Sequence, residues 1–167
     1  MVSNDGCRWD ALFGSDRPGG LGKTDLYRFQ LVNGKYADPE NLGRPINSGL
    51  DEFEPYIAPD QSFLIFMADN RERRGDFNLY ISYQKNGSWT EPVGLPANIN
   101  FAANEFSPKI SPDGKYFFWT SARNRRGRDT SKRLTTAEYL NQIRSAGNGL
   151  SDIYQINIDA VQLKRMR

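Results

Sequence analysis

Acidic residues recur in matched pairs along this 167-residue chain: Glu52 is echoed by Glu105, and Asp60 by Asp113. Two carboxylates flanking one bond could run glycoside hydrolysis, one as acid and the other as base or nucleophile. With Asp16, Asp25, Asp69 and Asp76 in polar segments, the chain also holds oxygen donors of the kind calcium takes, six to eight at a time. They are too dispersed in sequence to form a dense ligand loop. Histidine is absent altogether. That removes Ser-His-Asp and Cys-His catalysis and every imidazole-based metal site. No Gly-x-Ser-x-Gly elbow is present either. Both carboxylate pairs fall at equivalent points of an internal repeat, which is the pattern of turn-stabilising groups. Asp60 and Asp113 each follow a proline, where Asp accepts backbone N–H bonds locally. The expectation is a chain with no catalytic residue, no metal and no cofactor.

Basic residues are concentrated in two places, Arg71 to Arg74 and Arg123 to Arg133. Phosphate binding needs a continuous basic track, with exposed aromatics where single strands stack. The net charge is only +2, and the aromatics here are tied to repeated positions, so nucleic acid is not the expected partner. Cys7 is the only cysteine, which excludes an intrachain disulfide. No apolar run reaches membrane-spanning length. Residues 1–10 lack the charged start and apolar stretch of a signal peptide. Either the protein stays in the cytoplasm or its true start lies upstream.

The elements that must position these groups repeat every 53 residues. Glu52-Phe53-Glu54-Pro55 returns as Glu105-Phe106-Ser107-Pro108, and Ala58-Pro59-Asp60 as Ser111-Pro112-Asp113. Asn33-Gly34-Lys35-Tyr36 returns as Asn86-Gly87-Ser88-Trp89, and Asp25-Leu26-Tyr27 as Asn78-Leu79-Tyr80. Leu42, Ile46 and Asn47 recur at Leu95, Ile99 and Asn100. A fixed period of about fifty residues signals a repeat architecture. The middle copy spells four strands: Pro55 to Ala58, the apolar run Phe63 to Met67, Leu79 to Tyr83, and an outer strand Trp89 to Val93. The turn Lys85 to Ser88 joins the last two, its Asn-Gly suited to positive φ. Pro92 is tolerated in an edge strand only. Four antiparallel strands in about fifty residues is one propeller blade, and no helical periodicity appears inside the repeat.

The third copy has strands at Ser107 to Ile110, Tyr116 to Trp119 and Asp152 to Ile156, with an insertion of about 21 residues before the last. The insertion carries the chain's one clear helix signal. Thr135 and Glu138 form a capping box, Tyr139, Leu140 and Ile143 give a short apolar face, and Gly147-Asn148-Gly149 stops it. It is read either as a helix covering the side of a blade or as a lid or docking element. The predicted fold is therefore all-β: a partial β-propeller of about two and a half four-stranded antiparallel blades, with one short helix in the last. A non-repeat segment spans 1–11. Blades span 12–161, partial over 12–53, complete over 54–106, and carrying the helical insertion near 122–149 over 107–161. A basic tail spans 162–167. So few blades do not close a ring of four to eight. The expectation is a piece of a larger propeller with upstream blades missing, or a chain that closes by self-association.

Ser82 to Trp89 keeps the Ser and Trp of the Asp-box found in sialidase propellers, but Gln84 and Asn86 stand where its Asp and Gly belong. The closer resemblance lies in Phe106-Ser107-Pro108-Lys109-Ile110-Ser111-Pro112-Asp113-Gly114-Lys115-Tyr116, Thr120-Ser121-Ala122-Arg123 and Asp152-Ile153-Tyr154, with Gly14 to Gly20 and Asp25-Leu26-Tyr27 in the first copy. These resemble the WD40-like β-propeller repeats of the TolB type, over nearly the whole chain. The resemblance implies a bacterial, periplasmic or otherwise extracytoplasmic module that binds or scaffolds and is not an enzyme. The alternative is the propeller part of a carbohydrate-active (sialidase-like) or peptidase enzyme whose catalytic residues lie outside this chain. One set of loop residues stands out as partner-binding: Asp16 and Arg17, then Asp69, Asn70 and Arg71, then Arg123 and Asn124, all following the apolar strand of their copy. They would either ring one face, recognising a protein or glycan, or form ion pairs between blades.

Overall fold

The computed structural model describes residues 11–69, 77–101, 103–123, 133–148, 150–161 and 163. It is a mostly β chain of antiparallel sheets with one short helix. The first sheet is built from β1 (Ala11–Ser15), β2 (Asp25–Phe29) and, beyond a hairpin tip of β3 (Leu31–Val32) and β4 (Lys35–Tyr36), β5 (Glu40–Asn41), in the order β1-β2-β5. The second comprises β6 (Glu52–Ile57), β7 (Phe63–Asp69), β8 (Phe77–Lys85), the short β9 (Ser88–Trp89) paired to β8, and β10 (Val93–Gly94), ordered β6-β7-β8-β10. The third contains β11 (Glu105–Ile110), β12 (Tyr116–Ser121) and β13 (Asp152–Asn157), in chain order. Helix α1 (Thr136–Ile143) lies in the β12–β13 connection, and a 3₁₀ turn, Ile158–Val161, follows β13.

The sheets pack one on the next, and the alternation of each strand decides what they bury. In β7, Leu64, Phe66 and Ala68 face the first sheet, where they meet Leu26 and Ile46. Ile65 points the other way and joins Leu79, Ile81 and Leu95 in a second core with Phe117 and Trp119 of the third sheet and Val161 of the 3₁₀ turn after it. An apolar strand without alternation is what a strand buried on both faces requires. β6 lies against β1 and β2, and β11 lies against β6, β7 and β8.

Local signals place the turns. Asn33-Gly34 and Asn86-Gly87 take positive φ at both residues, the hairpin geometry that Asn-Gly accommodates with least strain. The expected outer strand Trp89 to Val93 is corrected: it is broken into β9 and β10. Pro92 has no N–H to give the ladder, and the last regular contact before it is made by Thr90, whose backbone N–H donates to the Tyr83 carbonyl at 2.9 Å while its side chain and carbonyl accept from β8. Tyr83 N–H donates to Thr90 Oγ1 at 3.0 Å, and the Ser82 hydroxyl donates to the Thr90 carbonyl at 2.6 Å. The capping box of α1 forms as expected on Thr135 and Glu138. The helix ends at Ile143, ahead of the glycines, where the Asn148 amide donates to the Ile143 carbonyl.

Candidate functional site

Position by position, the loop following the apolar strand is built twice on one plan. In the first sheet, Arg17 donates from its backbone N–H and its Nε to Ser15 Oγ, at 3.3 and 3.2 Å. Its guanidinium lies 5.0 Å from the Phe13 ring centre and 4.7 Å from that of Tyr27. In the third sheet Arg123 repeats this arrangement two repeats on. It donates to Ser121 Oγ from N–H and Nε at 3.2 and 2.9 Å, and lies 5.4 Å from Trp119 and 4.4 Å from Tyr154. Phe13 and Tyr27 correspond to Trp119 and Tyr154. Each Arg is thus held by a Ser two residues back and by a cation–π seat on two neighbouring strands.

The two copies differ in depth. Arg17 is half-buried, whereas Arg123 is only 3% exposed. Arg123 also donates to the carbonyls of Asn98 and Ile99 at 3.3 and 2.8 Å, and pairs with Glu105 at 3.5 Å, with Phe101 on a further side. The guanidinium therefore fastens the incoming 98–101 connection to the start of β11 and is used up inside the chain. Glu105 is fully buried, and the loss of water raises its pKa above the ordinary glutamate range. Its hydrogen bond to Ser121, the Arg123 charge and the Phe101 N–H offset this only in part.

The other acidic candidates are also held locally. Glu52 receives Ser48 N–H at 3.1 Å and the Ser48 hydroxyl, as Glu105 receives Phe101 N–H at 3.0 Å, four residues back in both cases. Asp60 accepts from Ser62 N–H, and Asp113 from the Ser111 hydroxyl and Lys115 N–H. The Ser111 bond, then that of Lys115, lowers the Asp113 pKa. Asp25, which the sequence offered to calcium, is buried with both oxygens occupied: Leu21 N–H and Asn41 Nδ2 reach one, at 2.6 and 2.7 Å, and Gly22 N–H the other at 3.0 Å. Gly22 has no room for a side chain, since a Cβ there would meet the Leu50 carbonyl oxygen at 1.8 Å. Among the described residues no three His, Cys, Asp or Glu side chains gather as metal ligands.

Of the loop residues singled out for a partner, Asp16 is exposed, Arg17 half-buried and Asp69 half-buried at the end of β7. Asn70, Arg71 and Asn124 lie outside the described residues, as do Cys7, Asp76 and most of the Arg123 to Arg133 cluster. Sequence reasoning missed the aromatic seats and the buried state of Arg123. The signal was present as Ser-x-Arg, with an aromatic two residues before the Ser, at Phe13 to Arg17 and Trp119 to Arg123. The same connections expose apolar groups: Leu21, and around α1 Leu134, Tyr139, Leu140 and Leu150. No residue of α1 is buried, so the helix stands off the sheets.

No protein-family model matches the chain, and no curated protein is significantly similar to it. Among the described residues no helix is long and apolar enough to cross a membrane.

Proposed function

We propose that this chain is a β-propeller-type module of the TolB-like kind, working outside the bacterial cytoplasm by binding a protein or glycan without catalysis. One observation carries the propeller reading. The first strands of the second and third sheets touch through equivalent residues: Glu54 accepts from Ser107 N–H at 2.6 Å and from its hydroxyl at 3.0 Å, and Lys109 lies over the Tyr56 ring. Both pairs are one repeat apart. First strands in register, each leading a sheet stacked on the last, are what blades around an axis require. Glu54 and Ser107 both sit at positive φ in matching bulges, so the register is built into the backbone.

Binding rather than turnover is supported by where the carboxylates go: Asp25, Glu52 and Glu105 are all buried and tie loops to strands. The binding surface is assigned to the end of the sheets carrying the β1–β2 and β12–β13 connections. There Asp16, Leu21, Tyr139 and Leu140 are exposed on loops whose bases are fixed by Asp25, Arg17 and Arg123. A rigid scaffold presenting variable loops suits recognition. The test is a screen of immobilised glycans and purified cell-envelope proteins with the full chain. Saturable binding, lost in an Asp16→Lys, Tyr139→Ser double variant that keeps the wild-type melting curve, is the expected result. Turnover of a glycoside, ester or peptide by the chain itself would overturn it.

A further inference from the structure

The third sheet carries an open face that the other two sheets have covered. On the side of each sheet facing the next, Leu12 and Leu26 of the first correspond to Ile65 and Leu79 of the second and to Phe118 and Ile153 of the third. Leu26 and Leu79 are both 0% exposed, while Ile153 is 78% exposed. Tyr116, the counterpart of Phe63, is also exposed. The chain itself demonstrates what seats on such a face. In both earlier cases it is a sheet of the same repeat, entering with aromatic side chains: Phe66 and Tyr80 on the first sheet, Trp119 and Tyr154 on the second.

The first sheet retains that entering side. Phe13 stands where Phe66 and Trp119 stand, and Tyr27 where Tyr80 and Tyr154 stand; Tyr27 is already buried, with Arg17 over its ring, so the part of this side open to a partner is the half-buried Phe13 and Phe29. Phe29, at the position of Ile156, stacks on Phe13 at 4.8 Å and is only partly buried. The two ends of the stack are thus the two halves of one kind of contact. We propose that the first sheet of a second copy of this chain docks on the Tyr116–Phe118–Ile153 face of the third, head to tail. Such a contact is heterologous and forms a ring when its rotation closes. Two chains supply six sheets, inside the usual four to eight. The inference rests on the sheet-to-sheet packing and not on the partner surface proposed above, which can fail independently.

The full chain is measured by light scattering after size exclusion, across a concentration series. The expected mass is twice 19.0 kDa. Ile153→Asp changes a side chain that is 78% exposed, so the variant is expected to fold. It is expected to weaken association by roughly 30-fold or more, as loss of a central interface anchor does. Val93→Asp, at a 63% exposed site on β10 away from both faces, leaves the mass unchanged. Phe29→Asp, checked for folding by circular dichroism, blocks the other half. Mixing it with Ile153→Asp restores a 1:1 pair, because each variant keeps the surface the other lacks. A wild type that stays at 19.0 kDa throughout overturns the proposal, as does association that survives Ile153→Asp, or a mixture of two folded variants that does not pair.

Discussion

The second and third sheets share strand order and repeat position, yet they are in different physical situations. The second is covered on both faces, and its strand β7 buries Leu64, Ile65, Phe66 and Ala68 completely. The third is covered on one face, and β13 alternates between half-buried and exposed residues along its whole length. Burial, and with it energetic weight, therefore tracks a residue's neighbours and not its repeat position. The second sheet also has a clip that the third lacks among the described residues. Asn100 accepts from Leu79 N–H and donates to the Leu79 carbonyl, both at 2.9 Å, beside the Leu95 N–H that donates to the same carbonyl, so the edge of β8 beyond its pairing with β10 is finished by a side chain. Asn47 does the same for Leu26, at 2.8 and 2.9 Å.

The sharpest break in this comparison comes from the arginines. Arg123→Ala leaves Glu105 buried without its counter-charge and strips two carbonyls of a donor, so a loss of about 3–5 kcal/mol is expected. Arg17→Ala, at the equivalent position with a half-exposed cation–π seat, costs about 0.5–1 kcal/mol. Urea unfolding followed by tryptophan fluorescence separates the two, and equal losses would dissolve the distinction between the buried and the half-buried arginine. Next, Leu79→Ala is expected to cost about 2–5 kcal/mol as a core cavity. Ile153→Ala at the same repeat position stays within about 0.5 kcal/mol in dilute protein.

Removing the clip with Asn100→Ala leaves the Leu79 N–H without its acceptor, at about 1–3 kcal/mol, while the Leu79 carbonyl keeps the Leu95 N–H. Hydrogen exchange at the Leu79 amide then rises toward that of β13; unchanged protection would argue against the clip. The smallest effect is one of pH. Glu105 binds its proton more tightly in the folded chain than in the unfolded one. Its contribution to stability is full below the ordinary glutamate value and lost as pH rises through the raised one. Glu105→Gln removes that slope. Asp113 has the opposite sign, its contribution present above the ordinary aspartate value and lost as pH falls through the lowered one. A wild-type stability curve whose acid side is unaffected by Glu105→Gln would contradict the assigned direction.

Much of the framework was legible in the residues. The apolar run at Phe63, the Asn-Gly hairpins and the Thr135–Glu138 capping box depend on groups within a few positions of one another, so a linear reading finds them. The turn role of Asp60 and Asp113 was legible for the same reason. The break of the outer strand at Pro92 was half visible: the missing N–H was plain, but not that the Thr90 hydroxyl would accept from Tyr83 N–H beside the break. The partner residues fared differently. Arg123 reads as a surface charge in a basic cluster, and nothing near it in sequence discloses that Tyr154, 31 positions on, and Glu105, 18 positions back, close over it.

The sequence by itself determined the 53-residue period, the strands it places and the turns between them, because each follows from short-range backbone preference and side-chain alternation. Only the tertiary structure decided which equivalents are equal in kind. Leu26, Leu79 and Ile153 occupy one position of one repeat, and desolvation by the next sheet, a contact between residues far apart in the chain, makes two of them core and leaves the third at the surface.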